Sequence, residues 1–178
     1  MIAESLADKY DLNGAYIEHI FTFSPLHDIE KVSIPDNILL KPGPLDQKER
    51  AVMNTYPISG RKIIDDMVEN FGFECINNID ILRNIAEFHH EAMNGSDYPH
   101  GKTRDQIPLE ARIVAVADVF DALTSKRSDK DAWSNEKAFD MLKQLAGEKL
   151  DIDCVNALIE NQYKILRIQA QFKDSIYG

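Results

Sequence analysis

Apolar residues return at the three-to-four spacing of a helical face in six stretches: Leu12 to Leu26, Ala51 to Phe71, Ile79 to Phe88, Leu109 to Leu123, Glu136 to Leu145 and Ile152 to Phe172. Period-two alternation is nearly absent. The pattern therefore predicts an all-α domain of six or seven helices, with its longest irregular stretches at Ser33 to Asp46 and Asn94 to Pro108. Pro35, Pro42, Gly43 and Pro44 are expected to keep the first of these out of helix. Two helix starts are readable. Asp46 followed by Glu49 has the pattern of a capping box, and Ser134 stands as a cap before Asn135 and Glu136. The last segment, with Ile165, Leu166, Ile168 and Phe172, either folds back on the core or projects as a dimerisation or interdomain element.

Length and composition narrow this picture. At 178 residues, 44% hydrophobic and 28% charged, the chain reads as one globular domain with a real core. No apolar run approaches the roughly 18 residues that cross a bilayer, and MIAESLADKY lacks the build of a secretory signal, so a cytoplasmic protein without membrane insertion is expected. A net charge of −10 argues against a nucleic-acid polymer as partner, because polyphosphate binding is driven by clustered Lys and Arg. A small phosphate ligand remains open, and bound cations would offset the acidic surplus locally. Cys75 and Cys154 lie far apart and in no CxxC pair, which suggests two small core residues rather than a disulfide or thiolate site.

The chemistry-bearing residues are scattered but alike in kind. His27 and Asp28 stand together at the end of one apolar stretch, His89 and His90 at the end of another, and Asp118 inside a third, ARIVAVADVF. Adjacent residues on a helix point about 100° apart, so neither pair can form a single claw as an i, i+4 pair would. Each pair could serve two neighbouring metals, or one metal and its surroundings. Asp118 is flanked by Ile, Val, Ala and Phe, which predicts burial and hence a positive partner, either Arg112 or a metal held by the histidines. Imidazole with carboxylate is the donor set of zinc, iron, manganese and nickel, and paired ions of this kind are a recurrent device for cleaving phosphodiesters.

Three successive segments, LHDIEKVSIPDNILLKPGPL, HHEAMNGSDYP and IPLEARIVAVADVFDALTSKR, resemble in order and spacing the signatures of the HD-GYP domain, a branch of the HD phosphohydrolase superfamily, over roughly Leu26 to Ala157. The resemblance implies an HD-domain-like helical bundle that hydrolyses cyclic di-GMP in bacterial signalling, with one or two divalent transition metal ions, iron or manganese, as cofactor. It implies His27, Asp28, His89, His90 and Asp118 as metal ligands, with Asp28 between two ions. Lys31 matches a lysine beside the scissile phosphate, so Asp28 and Lys31 are the catalytic candidates, while Lys31, Arg127 and Lys130 are the candidates for holding the substrate. Residues 1–178 are then one domain without the family's usual first helix or any sensory or receiver domain, with residues 152–178 as its C-terminal helix. Partners implied are cyclic di-GMP or a related small phosphodiester, a second copy of the chain, or a regulatory protein.

The departures from the family pattern bear on activity. Glu30 replaces the glycine of HDxGK, adding a negative charge beside the proposed centre. Tyr56 stands in place of a ligand histidine, and a neutral phenol with an ordinary pKa near 10 is a poor donor. Asp97 replaces the glycine of the GYP tripeptide, and Asn94 stands where aspartate is common. The expectation is a phosphodiesterase of weakened activity. The alternatives are a non-catalytic module that binds cyclic di-GMP or a protein partner, and a hydrolase of another phosphate ester.

Overall fold

The computed structural model describes residues 1–71, 77–126 and 131–175. The described elements are α1 (Ile2–Ser5), α2 (Ala7–Tyr10), α3 (Gly14–Phe23), α4 (Asp36–Leu39), α5 (Gln47–Met53), α6 (Tyr56–Phe71), α7 (Ile79–Phe88), α8 (Leu109–Thr124), α9 (Asn135–Leu145), α10 (Ile152–Glu160) and α11 (Gln162–Ser175), with 3-10 turns at Ser24–Leu26, Ile29–Ser33 and Arg104–Gln106. Among the described residues no strand forms beyond two isolated bridges. Seven of these helices have nine residues or more, as the periodicity predicts.

The boundaries differ from the apolar stretches where a local group interrupts the backbone ladder. Ala51 to Phe71 is two helices, because Pro57 has no N–H to offer the Met53 carbonyl. Ile152 to Phe172 also divides: the side chain of Asn161 donates to Ser5 Oγ at 2.7 Å and to the Ala157 carbonyl at 2.8 Å, fixing a corner between α10 and α11. The proline-rich stretch is not wholly irregular. One helical turn, α4, begins directly after Pro35, a position where proline's missing N–H costs nothing. Both caps read from sequence are present: Glu49 N–H donates to Asp46 Oδ1 at 2.9 Å while Asp46 N–H donates to Glu49 Oε2 at 2.8 Å, and Lys137 N–H donates to Ser134 Oγ at 3.3 Å.

Helix α8 is the hub, packing on α7, α9 and α10, while α7 also packs on α3 and α6. Ile85 of α7, Val116 of α8, Leu142 of α9 and Cys154 of α10 are fully buried where these helices meet. Burial of each large aliphatic chain contributes about 1.5–3 kcal/mol. Cys154 is thus the core residue expected of it, and Cys75 lies outside the described residues. Glu110, also buried, is satisfied by Tyr16 Oη at 2.6 Å and Asn84 Nδ2 at 2.7 Å, which ties α8 to α3 and α7. The last helix folds its Ile165 into the core and exchanges two side-chain hydrogen bonds with α9 through Gln169 and Asn135, leaving Leu166 and Ile168 exposed.

Candidate metal centre

The amphipathic stripe of α7, Ile81, Leu82, Ile85 and Ala86, pins that helix to the core and delivers its C-terminal residues, His89 and His90, to one place. Opposite, the two 3-10 turns after α3 bring in His27, Asp28, Glu30 and Lys31, and the outer half of α8 adds Asp118. His27 Nε2 lies 3.3 Å from Asp28 Oδ2 and 3.6 Å from Asp118 Oδ1, while His89 Nε2 lies 3.8 Å from Asp28 Oδ1. Asp28 thus turns one oxygen to each histidine. Ligand atoms of Asp28, Glu30, His89 and His90 all fall within 4.8 Å of one another.

The two inner histidines are aimed by their backbones. His27 Nδ1 pairs with the Ser24 carbonyl at 2.8 Å and His89 Nδ1 with the Ile85 carbonyl at 2.8 Å. A carbonyl can only accept, so each Nδ1 carries a proton and each Nε2 is the atom turned inward toward the carboxylates, the orientation second partners impose on metal-binding histidines. Both Nε2 atoms are buried without a hydrogen-bond partner, and so is Glu30 Oε2. Orphaned buried polar atoms are rare in folded proteins. Glu30 and His89 group with Asp28 and His90, while His27 lies against Asp28 and Asp118, and donors of these kinds, imidazole nitrogens and carboxylate oxygens, fit divalent cations.

The electrostatics agree with the geometry. Burial pulls the His27 imidazole down, but Asp118 and Asp28 more than offset it and raise its pKa to about 10. Burial would raise Asp28, yet His27, His89 and Lys31 hold its carboxyl far below the usual range. Asp118 is lowered in the same way, with His27 outweighing burial. Glu30 goes the other way, pushed up to about 7 by burial. Burial and the neighbouring His89 pull His90 down to about 4.

Several sequence expectations change here. Asp118 is not deeply buried: its side chain is 30% exposed, at the edge of the cluster. The positive group facing it is His27, because Arg112 pairs instead with Asp151 at 2.8 Å. Lys31 Nζ donates to Asp28 Oδ2 and its side chain is 48% exposed, which places it at the mouth. Asp97 needs no left-handed backbone; among the described non-glycine residues φ is positive at Asp11 and Asn78. Its carboxylate accepts from Lys149 at 2.7 Å. Asn94 Oδ1 accepts from the Ser96 backbone at 3.0 Å, closing the turn in which Gly95, at φ 73°, sits so close to Gly101 that a Cβ would fall 2.9 Å from its carbonyl oxygen. Arg127 and Lys130 lie outside the described residues.

Glu91, the last letter of HHE, is not part of the cluster. Its buried carboxylate accepts the backbone N–H groups of His100 at 2.7 Å and Lys102 at 2.9 Å, and so holds the loop that stacks Tyr98 on His90 with ring centroids 4.9 Å apart. A cleft of about 330 Å³ opens between this loop and α8, lined by His89, His90, Tyr98, Asp118 and Lys149 among others. Glu30 and Lys149 are the site residues that sequence reasoning passed over, the first because it reads as an obstruction and the second because nothing near it in sequence marks it. A larger cleft of about 780 Å³, lined by residues of α8, α9 and α11 and largely apolar, shares no residue with the cluster.

A family model described as an HD domain matches residues 1–154. The chain is 40% identical over 171 residues to the cyclic di-GMP phosphodiesterase response regulator RpfG of Xanthomonas campestris, covering 96% of this chain and 43% of that protein. It is 37% identical over 174 residues to a 3'3'-cGAMP-specific phosphodiesterase 2 of Vibrio cholerae, covering 98% of this chain and 32% of that one. A cyclic di-GMP phosphodiesterase of Thermotoga maritima is 34% identical over 172 residues, covering 95% and 44% respectively. The chain therefore spans less than half the length of these curated relatives.

Proposed function

The chain belongs to the HD domain family, whose HD-GYP branch its motifs resemble, and from that premise we propose that it is a metal-dependent phosphodiesterase acting on cyclic di-GMP or a closely related cyclic dinucleotide. The observation that carries the reading is the convergence of two buried, unpartnered imidazole nitrogens, of His27 and His89, on opposite oxygens of Asp28. His27, Asp28, His89, His90 and Asp118 would hold the metal, and the absence of thiolate from this set suits iron or manganese. Such an ion supplies Lewis acidity toward a phosphoryl oxygen and lowers the pKa of a water molecule.

The chain's own groups do the rest. Asp28 stands between the two histidines and keeps each Nε2 matched to negative charge. Lys31 reaches over Asp28 from the mouth, where its ammonium neutralises charge gathering on phosphoryl oxygens, a contribution that is large when the donor is already in place. The wall formed by His90 and Tyr98 offers an aromatic face for a base, and Lys149, paired with Asp97, lines the same cleft. Arg127 and Lys130 are assigned to the substrate phosphates on the motif resemblance. With a cyclic dinucleotide as substrate, a cytoplasmic location is the proposal that goes with this reading; no helix among the described residues is long and apolar enough to cross a membrane.

The test is hydrolysis. Chain stripped of metal, then loaded anaerobically with Fe²⁺ or Mn²⁺, is incubated with cyclic di-GMP and with 3'3'-cGAMP, and linear products are separated by chromatography. Linear pGpG or GMP should appear with the loaded protein and not with Asp28→Ala. A loaded protein that binds cyclic di-GMP without cleaving either dinucleotide would overturn the enzyme reading in favour of a binding module.

A further inference from the structure

Glu30 is 2% exposed and hangs from the 3-10 turn Ile29–Ser33, two residues beyond Asp28. Its burial has no counter-charge in ordinary hydrogen-bonding reach: Oε2 is fully enclosed and accepts from nothing. An isolated buried carboxylate is costly, so a side chain placed this way calls for a proton or a cation. Gly60 of α6 faces the turn, and a Cβ there would stand 3.1 Å from Glu30 Cβ and 3.3 Å from Oε2, tighter than ordinary contact, so the missing side chain at position 60 lets α6 lie close over this carboxylate. In its first turn, Tyr56 to Gly60, α6 contributes no imidazole or carboxylate of its own.

The direction of the side chain matters more than its burial. One ligand atom each of Glu30, Asp28, His89 and His90 lies within 4.8 Å of the others, and two of these residues also carry a buried atom without a partner, Glu30 Oε2 and His89 Nε2. His27 and Asp118 form the other flank, 3.6 Å from each other, with His27 3.3 Å from Asp28. The donors therefore divide into two sets that share Asp28.

We infer that Glu30 is a metal ligand, completing with Asp28, His89 and His90 a two-carboxylate, two-imidazole subsite for a divalent cation beside the subsite of His27, Asp28 and Asp118. This rests on the metal-dependent reading above and deepens it. The residue that reads in sequence as a charge obstructing the centre is a donor within it. Without Glu30 this subsite would have three protein ligands, and with it four.

The experiment measures metal binding directly. Chelator-stripped chain is titrated with Mn²⁺, free ion is counted by electron paramagnetic resonance, and the Mn²⁺-induced rise in melting temperature is recorded for wild type, Glu30→Gln and Glu30→Gly. Gln keeps the shape and hydrogen-bonding reach of a protonated acid, Gly removes the side chain beside Gly60, and circular dichroism checks that each variant keeps the fold. Both should bind the Mn²⁺ of this subsite about tenfold or more weakly than wild type, with a smaller melting shift. Equal Mn²⁺ affinity and stoichiometry in wild type and Glu30→Gln would show Glu30 to be a buried neutral acid and overturn the assignment, leaving the phosphodiesterase reading intact. If wild type takes up neither Mn²⁺ nor Fe²⁺, both fall together.

Discussion

Asp118 and His27 meet across the site, Oδ1 to Nε2 at 3.6 Å, joining the outer half of α8 to the turn that follows α3. Neither residue depends on the other for burial. The Asp118 side chain is 30% exposed and that of His27 22%, so the pair is partly open to solvent, although His27 Nε2 itself is enclosed.

Asp118→Ala should consequently act on metal more than on folding. Losing a direct donor should weaken binding of the His27-side ion by more than about tenfold, the lower end of what even outer partners cost. Apo stability should fall by about 1 kcal/mol or less, as for a partly solvated ion pair. Metal titration and urea unfolding on the same sample check both. A drop of several kcal/mol in the apo protein would mean that Asp118 is a structural anchor.

Lys31 bonds to Asp28 yet leaves nearly half its side chain in solvent, which separates charge stabilisation from metal holding. Lys31→Met should keep metal stoichiometry and reduce kcat by about a hundredfold or more, the scale on which removal of one pre-placed donor acts. The change should fall on kcat rather than KM, because developing phosphoryl charge is what the ammonium meets. A KM effect alone would reassign Lys31 to ground-state binding.

What was legible from sequence follows from how far each signal reaches. Helix α8 declares itself through an uninterrupted apolar period, and the Asp46 and Ser134 caps through local chemistry. His27, Asp28, His89, His90 and Asp118 stand out by residue type and position before any motif resemblance assigns them a role, and in the structure His27 and His89 face Asp28, His27 faces Asp118, and His90 lies beside His89. The burial of Asp118 was misjudged because apolar neighbours in sequence sit on other faces of the helix: Val114, Ala115 and Val116 are buried while Ala117 is exposed. Glu30 was invisible as a donor because its role depends on Gly60, thirty positions away, and on an unfilled bond no local pattern records.

Glu91 is buried and accepts two backbone N–H groups from the loop that carries Tyr98. Glu91→Ala leaves both donors unsatisfied in a partly buried loop, at about 1–3 kcal/mol each if they stay dry. The loop should loosen, and Tyr98 with it. Dinucleotide affinity should fall several-fold while Mn²⁺ stoichiometry holds, by calorimetry on the loaded protein; loss of the metal instead would place Glu91 among the ligands.

The strongest stability prediction lies away from the chemistry. Asp151 is fully buried, caps α10 by accepting from the N–H groups of Asp153 at 2.8 Å and Cys154 at 3.3 Å, and pairs with Arg112 of α8 at 2.8 Å. Its removal would strand a guanidinium whose Nε already lacks a partner. Asp151→Ala should therefore cost about 3–5 kcal/mol, read as a shift in urea midpoint, because one charge is left buried alone. Asp151→Asn retains an acceptor for the cap and should cost less. The double variant Arg112→Met, Asp151→Asn removes both charges and should recover part of the loss, since an apolar replacement of a buried ion pair is often close to neutral. If the double variant unfolds no later than Asp151→Asn alone, the stranded guanidinium is not what destabilises the single variants, and the cap rather than the ion pair joins α10 to α8.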